Sequence, residues 1–522
     1  MRRDMAFLLM AMLGPATPVL AADLRIGLTV EPDSIDPHYH NFGGNKGLMP
    51  NLFEALTSMD AQDRLGPSLA VSWRLVDDAW EFKLRDGVTF SDGAKLTADD
   101  VAFTIERVPN VPTTVTDMSE YVKAIDRVEV VDPLTVRFHT KDPFPLAPEY
   151  LSAIGIVSRA RGEGASTSDY NTGKAAIGTG PFRFVSWARA DRLVMARNTA
   201  WWGGHPAWDS VSIRYIKNPT SRLAALLAGD VDLIDQVSVQ DVARVKADAR
   251  FTVASGRSDD IVGFVFDEQD RSSPTITGND DKPLPVNPFR DRRVREAVNL
   301  ALDRSAIRDR LMNGQSDPDN QYMKAGQYGY DPALPPIRFD PQEAKRLLVE
   351  AGYPDGFKLG VACQNDRFVS DAAICQAVAQ MLTRVAITTT PEVMPHAVWV
   401  PRANKREFSL FTYFWTIDTP EPSIMLISQL ATPDATRGRG AFNRGVYSNP
   451  AFDSVLDQAL VTLDRDAREA LLIKATNIAF RDYALVPLHH QFNIEAMTRQ
   501  VHHVPRIDGR IRAAEITPQK GD

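Results

Sequence analysis

The chain has 522 residues, 44% of them hydrophobic and 24% charged, the ordinary balance of a soluble globular protein. At a rough 150 residues per domain this length exceeds one hydrophobic core and predicts two to four lobes. A net charge of −8, with no basic run, excludes a nucleic-acid footprint and argues against a membrane-surface protein.

At the N-terminus, Arg2-Arg3 precedes an apolar run from Met5 to Leu13, and small residues close the segment at Val19-Leu20-Ala21-Ala22. This is the layout of a secretory signal peptide over residues 1–22, cut near Ala21 or Ala22. The run is too short for a membrane anchor and is broken by Gly14, Pro15 and Pro18. No cysteine sits at the cut, so a lipid anchor is not expected and the mature chain is expected free in the periplasm.

Residues 71–140 read as a small α+β unit of hairpins. Trp80, Phe82 and Leu84 alternate with polar residues, and Asp86-Gly87 and Asp92-Gly93 are turn pairs. Thr97 with Asp100 forms a capping box for a helix through Val101 and Ile105. Val128 and Val130 lead to the turn Asp132-Pro133, and Leu134, Val136 and Phe138 return from it. From residue 179 the pattern becomes α/β. A helix is predicted over Pro219–Ala228, closed by Gly229, with strands at 231–234 and 261–266. Residues 267–288, rich in Asp, Ser, Pro and Gly, read as a connector.

Helices dominate the next segment. Val294, Ala297, Val298 and Ala301 share a face. Asp340-Pro341 opens a second helix that Gly352 ends, Asp371 caps a third, and Asn449-Pro450 starts a fourth. The last carries Leu471, Ala475 and Ile478. Cys363 falls at a strand end and Cys375 in the following helix. An exported chain permits a disulfide between them, and two buried thiols are the alternative.

Catalytic motifs are missing from the sequence. There is no GxSxG elbow, no HExxH and no Walker A sequence, and Gly178-Thr179-Gly180 lacks the third glycine of a dinucleotide fingerprint. The chain is therefore not expected to be an enzyme, and no cofactor is expected.

Several blocks stand in a distinctive order. Ile177-Gly178-Thr179-Gly180-Pro181-Phe182 is followed by Arg197-Asn198, Trp201-Trp202, Pro206, Asp209 and Val211. Before it lie Phe82 to Gly93 and Leu96-Thr97-Ala98-Asp99-Asp100-Val101. After it come Asp291-Arg292-Arg293-Val294-Arg295-Glu296-Ala297, Phe414-Trp415-Thr416-Ile417-Asp418, Asn449-Pro450-Ala451-Phe452-Asp453 and Val486-Pro487-Leu488. Together, over most of residues 23–500, they resemble the extracytoplasmic solute-binding proteins of family 5, the peptide, nickel and opine receptors that feed ABC importers.

The resemblance implies an α/β, two-lobed periplasmic binding protein of the type II, Venus-flytrap kind, with mixed sheets and an extra inserted subdomain. Lobe I maps to 23–53, 179–268 and 483–522, the insert to 54–178, and lobe II to 269–482. Crossovers are expected near 266–270 and 480–485. The implied partners are a small-molecule or short-peptide ligand and the permease subunits, and the chain is expected to be a monomer that is not embedded in the membrane.

Candidate ligand residues also follow from the resemblance. Asp418 matches the Asp that pairs with a peptide's α-ammonium, a charge-assisted bond that strengthens in a closed cleft; a turn-capping role before Thr419-Pro420 is the other reading. Trp415 is either a cleft wall or core packing. Arg367 either clamps a ligand carboxylate or anchors a loop. His40, Asn41 and Phe42 match a first-lobe cleft loop. His38 and His40 raise nickel chemistry, but no further His or Cys arrangement supports a metal cage. His502 and His503 are expected at the surface. The expected ligand is a small zwitterionic solute, a short peptide or opine-like conjugate. A metal chelate, a sugar-derived solute and a periplasmic hydrolase are the alternatives.

Overall fold

The computed structural model describes residues 22–519 except Thr114, Asn320 and Asp418. The expected signal segment before Ala22 lies outside the described residues. Among those described, no helix is long and apolar enough to cross a membrane.

Two long strands form the spine. Phe251–Phe266 and Leu485–Thr498 pair antiparallel along most of their length. On one side of them stand Leu233–Ile234, Asp23–Leu28, Ser210–Tyr215, Arg192–Arg197 and Phe182–Ala188. On the other stand Leu410–Thr416, Phe357–Gln364 and Ile276–Thr277. Ile387–Met394 and Ser316–Asp317 complete the twelve-stranded mixed sheet. Asp23–Leu28 is parallel to Ser210–Tyr215, and Phe357–Gln364 is parallel to Ile387–Met394. Parallel neighbours need crossover connections, and helices Pro219–Ala228 and Asp371–Thr383 lie in such connections.

The insert builds its own sheet. Ala70–Val76, Ala79–Leu84, Thr135–Thr140 and Ile125–Asp132 stand in that order, all antiparallel. Its core of Phe82, Phe90, Val101, Val136 and Phe138 is separate from the other clusters. The capping box at Thr97 and Asp100 opens helix Ala98–Arg107 as the sequence predicts.

The core changes partners within the long strands. Ile261 to Phe266 and Leu485 to Leu488 pack with the helices of residues 292–311, 341–351 and 450–480. Phe251, Ile494 and Ala496 pack instead with Leu226 and Val245, and Met497 with Leu24 and Ile26.

Local chemistry explains most boundaries. Gly229 ends helix Pro219–Ala228 in a left-handed conformation, at φ 79°. Asp340 and Asn449 accept backbone hydrogen bonds at their helix starts. Asp371 departs from its expected role. Ser370 holds the cap position, and Asp371 is the first helical residue. Its carboxylate reaches back to accept from the backbone N–H groups of Arg367 and Phe368, at 2.9 and 3.4 Å. Cys363 and Cys375 are joined by a disulfide, so the alternative of two free thiols is set aside. His503 is also corrected: it is buried, with Nδ1 2.6 Å from the buried Glu495 carboxylate.

Candidate functional site

The long strands lose register between Arg257 and Ile261. Arg257 pairs with Phe492, and Ile261 already pairs with His490, so Ser258, Asp259 and Asp260 together face Gln491. Extra residues on one strand form a bulge, which bends the strand and re-aims side chains. Ser258 ties the bulge down: its Oγ donates to the Gln491 carbonyl at 3.0 Å and accepts from Asp260 N–H at 3.1 Å. The Asp259 backbone meets Ile507 on one side and Ile417 on the other.

The bulge delivers Asp259 to a cleft where three distant segments converge. Its carboxylate pairs with Lys324 at 3.0 Å, and both side chains are buried. Asp63, at the tip of the hairpin formed by Thr57–Met59 and Leu65–Pro67, lies against it. Burial, then the neighbouring Asp259 and Asp508, push the Asp63 carboxyl well above the carboxylate range. Asp508 goes the other way. Burial raises it, but Arg510 and Arg506 outweigh burial and hold it below its ordinary value. The cleft is thus polar, with one carboxyl held in its protonated form.

The strand Leu410–Thr416 and the segment after it form the facing wall. Thr416, Ile417, Thr419 and Pro420 line a cavity of about 70 Å³ together with Asp63, Asp259 and Tyr121. Ligand sites of drug-sized molecules occupy roughly 300–1,000 Å³, so a solute of dipeptide size needs this cleft to widen.

The comparisons with known proteins fit this geometry. Residues 64–436 match the family model "Bacterial extracellular solute-binding proteins, family 5 Middle". The chain belongs to the family 5 solute-binding proteins. Among its curated relatives, heme-binding protein A of Haemophilus influenzae is 26% identical, over 86% of this chain and 82% of that protein. The glutathione-binding protein GsiB of Salmonella paratyphi A is 25% identical, over 91% and 90%. HbpA2 of Haemophilus parasuis superposes with a TM-score of 0.82 at 21% identity, over 95% of this chain and all of that one. The murein tripeptide-binding protein MppA, in its unliganded open form, gives 0.80 at 20%, over 96% and 98%. The fold is that of two-lobed periplasmic binding proteins.

The most recognisable family 5 blocks are structural here. Gly178 and Gly180 pass against the end of helix Gly43–Leu52. A Cβ on Gly178 would meet the Leu52 carbonyl oxygen at 2.1 Å, and one on Gly180 would meet Leu52 backbone carbon at 2.7 Å, so only glycine fits. Asn198 donates to the Gly180 carbonyl at 2.8 Å. Trp201 and Trp202 donate from Nε1 to the two oxygens of Glu54, at 3.0 and 2.7 Å. Together these contacts clamp the start of the insert to its end.

The expected ligand residues of a family 5 receptor fall as follows. Asp418 lies outside the described residues, though its neighbours line the cleft. Trp415 is half-buried and meets Phe442 edge-on, with ring centroids 5.5 Å apart. Arg367 is exposed, with its guanidinium 4.5 Å from the centre of the Phe414 ring. Neither lines the narrow cavity around Asp259.

The first-lobe loop makes its own contacts. His40 stacks on Phe42 at 5.2 Å and sits 2.5 Å from Asp33. Asn41 donates to Glu120 at 3.1 Å and accepts from the Tyr121 hydroxyl at 3.4 Å. His38 is buried. It accepts from Arg107 at Nδ1 and donates from Nε2 to the Gly155 carbonyl, so neither nitrogen is left to hold a metal. Burial, then Arg107, lowers its pKa to about 4.

Asp63, Asp259, Lys324 and Asp508 escaped the sequence reading. They lie far apart along the chain, in turns and at a bulge, and no spacing rule links them.

Proposed function

We propose that this chain is the periplasmic substrate-binding receptor of an ABC importer, capturing a small zwitterionic solute of the short-peptide or opine-conjugate class. The observation that carries the reading is the polar, buried cleft at the bulge of the two crossing strands, facing the segment that bears Asp418. The hinge lies at Ser258–Asp260 and Gln491, because the core changes partners there. Lobe I and the insert stand on one side of it and lobe II on the other. In this reading the switch comes ahead of the boundary near 268 that the resemblance suggests. Hinge closure between two lobes is the motion for which periplasmic binding proteins serve as a general example.

Asp418 binds the ligand's ammonium in this reading, and Arg367 with Trp415 lies on the rim. His40, Asn41 and Phe42 face them from lobe I. Relatives named for heme and for glutathione widen the solute range, and a metal chelate remains the second reading on the strength of a nickel–histidine complex among the structural neighbours. Native mass spectrometry of protein drawn from periplasm identifies the solute. Calorimetric titration of that solute against wild type and Asp418→Asn then tests the site. Loss of a buried charge-assisted partner costs about 2–5 kcal/mol of binding. Equal affinities would remove the ammonium role.

A further inference from the structure

The cleft continues into a second cavity of about 320 Å³ between the insert and the helix Arg465–Arg481. The two cavities share Asp63, Glu149 and Pro420. The walls of the second combine flat aromatic rings with charged groups that include Arg64, Glu421 and Arg468. Trp73 and Trp80 come from the insert hairpin, and both are braced from behind. Trp73 stacks on Phe82 at 6.1 Å, and Trp80 donates from Nε1 to the Phe144 carbonyl at 2.9 Å. Tyr328 faces them from the other side, with the Arg465 guanidinium 5.0 Å from its ring centre.

Three polar groups of this cavity are not consumed by the protein. Glu149 Oε2 and Gln327 Nε2 are buried and have no hydrogen-bond partner among the described residues. Buried polar atoms are paired in the great majority of cases, so two orphans in one cavity call for an explanation. Arg465 makes no ion pair among the described residues, whereas the neighbouring Glu421 is fully committed to Arg468. Burial, followed by the Glu421 charge, pushes the Glu149 carboxyl up to about 7 against the pull of its own backbone, Arg465 and Arg468. Gln327 Nε2, the Arg465 guanidinium and a protonated Glu149 are all donors.

We propose that this cavity is a second ligand subsite, selective for a flat aromatic group that bears a carboxylate. The ring lies between the two tryptophans and Tyr328, and the carboxylate meets Arg465, Gln327 and Glu149. The inference rests on the receptor reading above for its biological use, since the aromatic acid is then a side arm of the solute held in the cleft.

The test uses 3-(4-fluorophenyl)propionate and its neutral amide as probes, titrated into the full chain and followed by fluorine NMR. Saturable binding of the acid is expected, with the amide and Arg465→Gln each about tenfold weaker, the usual scale for losing one charge-assisted contact. Glu149→Gln is expected to bind the acid as well as wild type or better. Arg465 is exposed, so its variant keeps the fold, and circular dichroism checks this. No saturable binding, or equal affinities for acid and amide, overturns the subsite. Asp418→Asn separates the two proposals. It abolishes capture of the native solute if the cleft reading holds, and leaves the free probe unaffected if the subsite is real.

Discussion

Asp63 shows how one carboxyl can be held neutral by its surroundings. It is buried beside Asp259, whose own charge is matched by Lys324. Two like charges at that spacing would repel, so the proton stays on Asp63. The sign of the pH effect follows. Its folded pKa lies above its unfolded value, so its contribution is full below the ordinary carboxyl range and is lost as pH rises toward the raised value. Asp63→Asn keeps a donor for Asp259 and removes the titration. Thermal melts between about pH 5 and 8 should fall more steeply for wild type than for the variant, by on the order of 1 kcal/mol per pH unit. Parallel curves would show that Asp63 is ionised in the folded chain. The buried histidines follow the opposite rule. His489 and His490 are depressed by burial to about 4 and about 3, so their unfolded forms take up protons first as pH falls through the ordinary histidine range, a contribution that wild type and variant share and that cancels in the difference between them.

Among the elements, the helix Arg465–Arg481 carries a buried ion pair. Arg468 donates from Nε and Nη2 to both oxygens of Glu421, at 2.8 and 2.7 Å, and both side chains are buried. Ser423 and the Ala459 carbonyl complete the network. The pair fixes the turn after residue 418 against that helix. Arg468→Ala strands a buried carboxylate and should cost about 3–5 kcal/mol in chemical denaturation. Replacing the pair together, as Glu421→Gln with Arg468→Met, should cost clearly less; equal losses would point to packing rather than charge. The disulfide ties strand Phe357–Gln364 to helix Asp371–Thr383 within the same core cluster. Removing it as Cys363→Ala with Cys375→Ala should lower stability by about 2–4 kcal/mol, read as a shifted urea midpoint. An unchanged midpoint would show that the cross-link adds nothing to the fold.

For the whole molecule, two bodies of core share two strands. The bulge at Ser258–Asp260 interrupts their pairing, and Asp259 there touches segments from both sides. In the proposed hinge model, a swing about that point would move Thr419 and Pro420 relative to Asp63. Protein stripped of solute by unfolding and refolding should be larger in small-angle scattering than protein drawn from periplasm with its solute. Identical radii of gyration would remove the hinge model.

The sequence by itself determined the family and most of the elements. Helix starts were readable at Thr97, Asp340 and Asn449 because a cap acts on its own neighbours. The hairpin turns at Gly87 and Gly93 were readable because positive φ favours glycine. Candidate ligand residues were legible only through the resemblance, and nothing local showed that Arg367 lies against the Phe414 ring. The tertiary structure alone decided the rest: the disulfide, the burial of His503, the bulge that aims Asp259, and the meeting of Asp63 with Asp259. These depend on which side chains the fold brings together, from 8 residues apart for His503 and Glu495 to hundreds, and side-chain periodicity reports only which face is buried, never what the face is buried against.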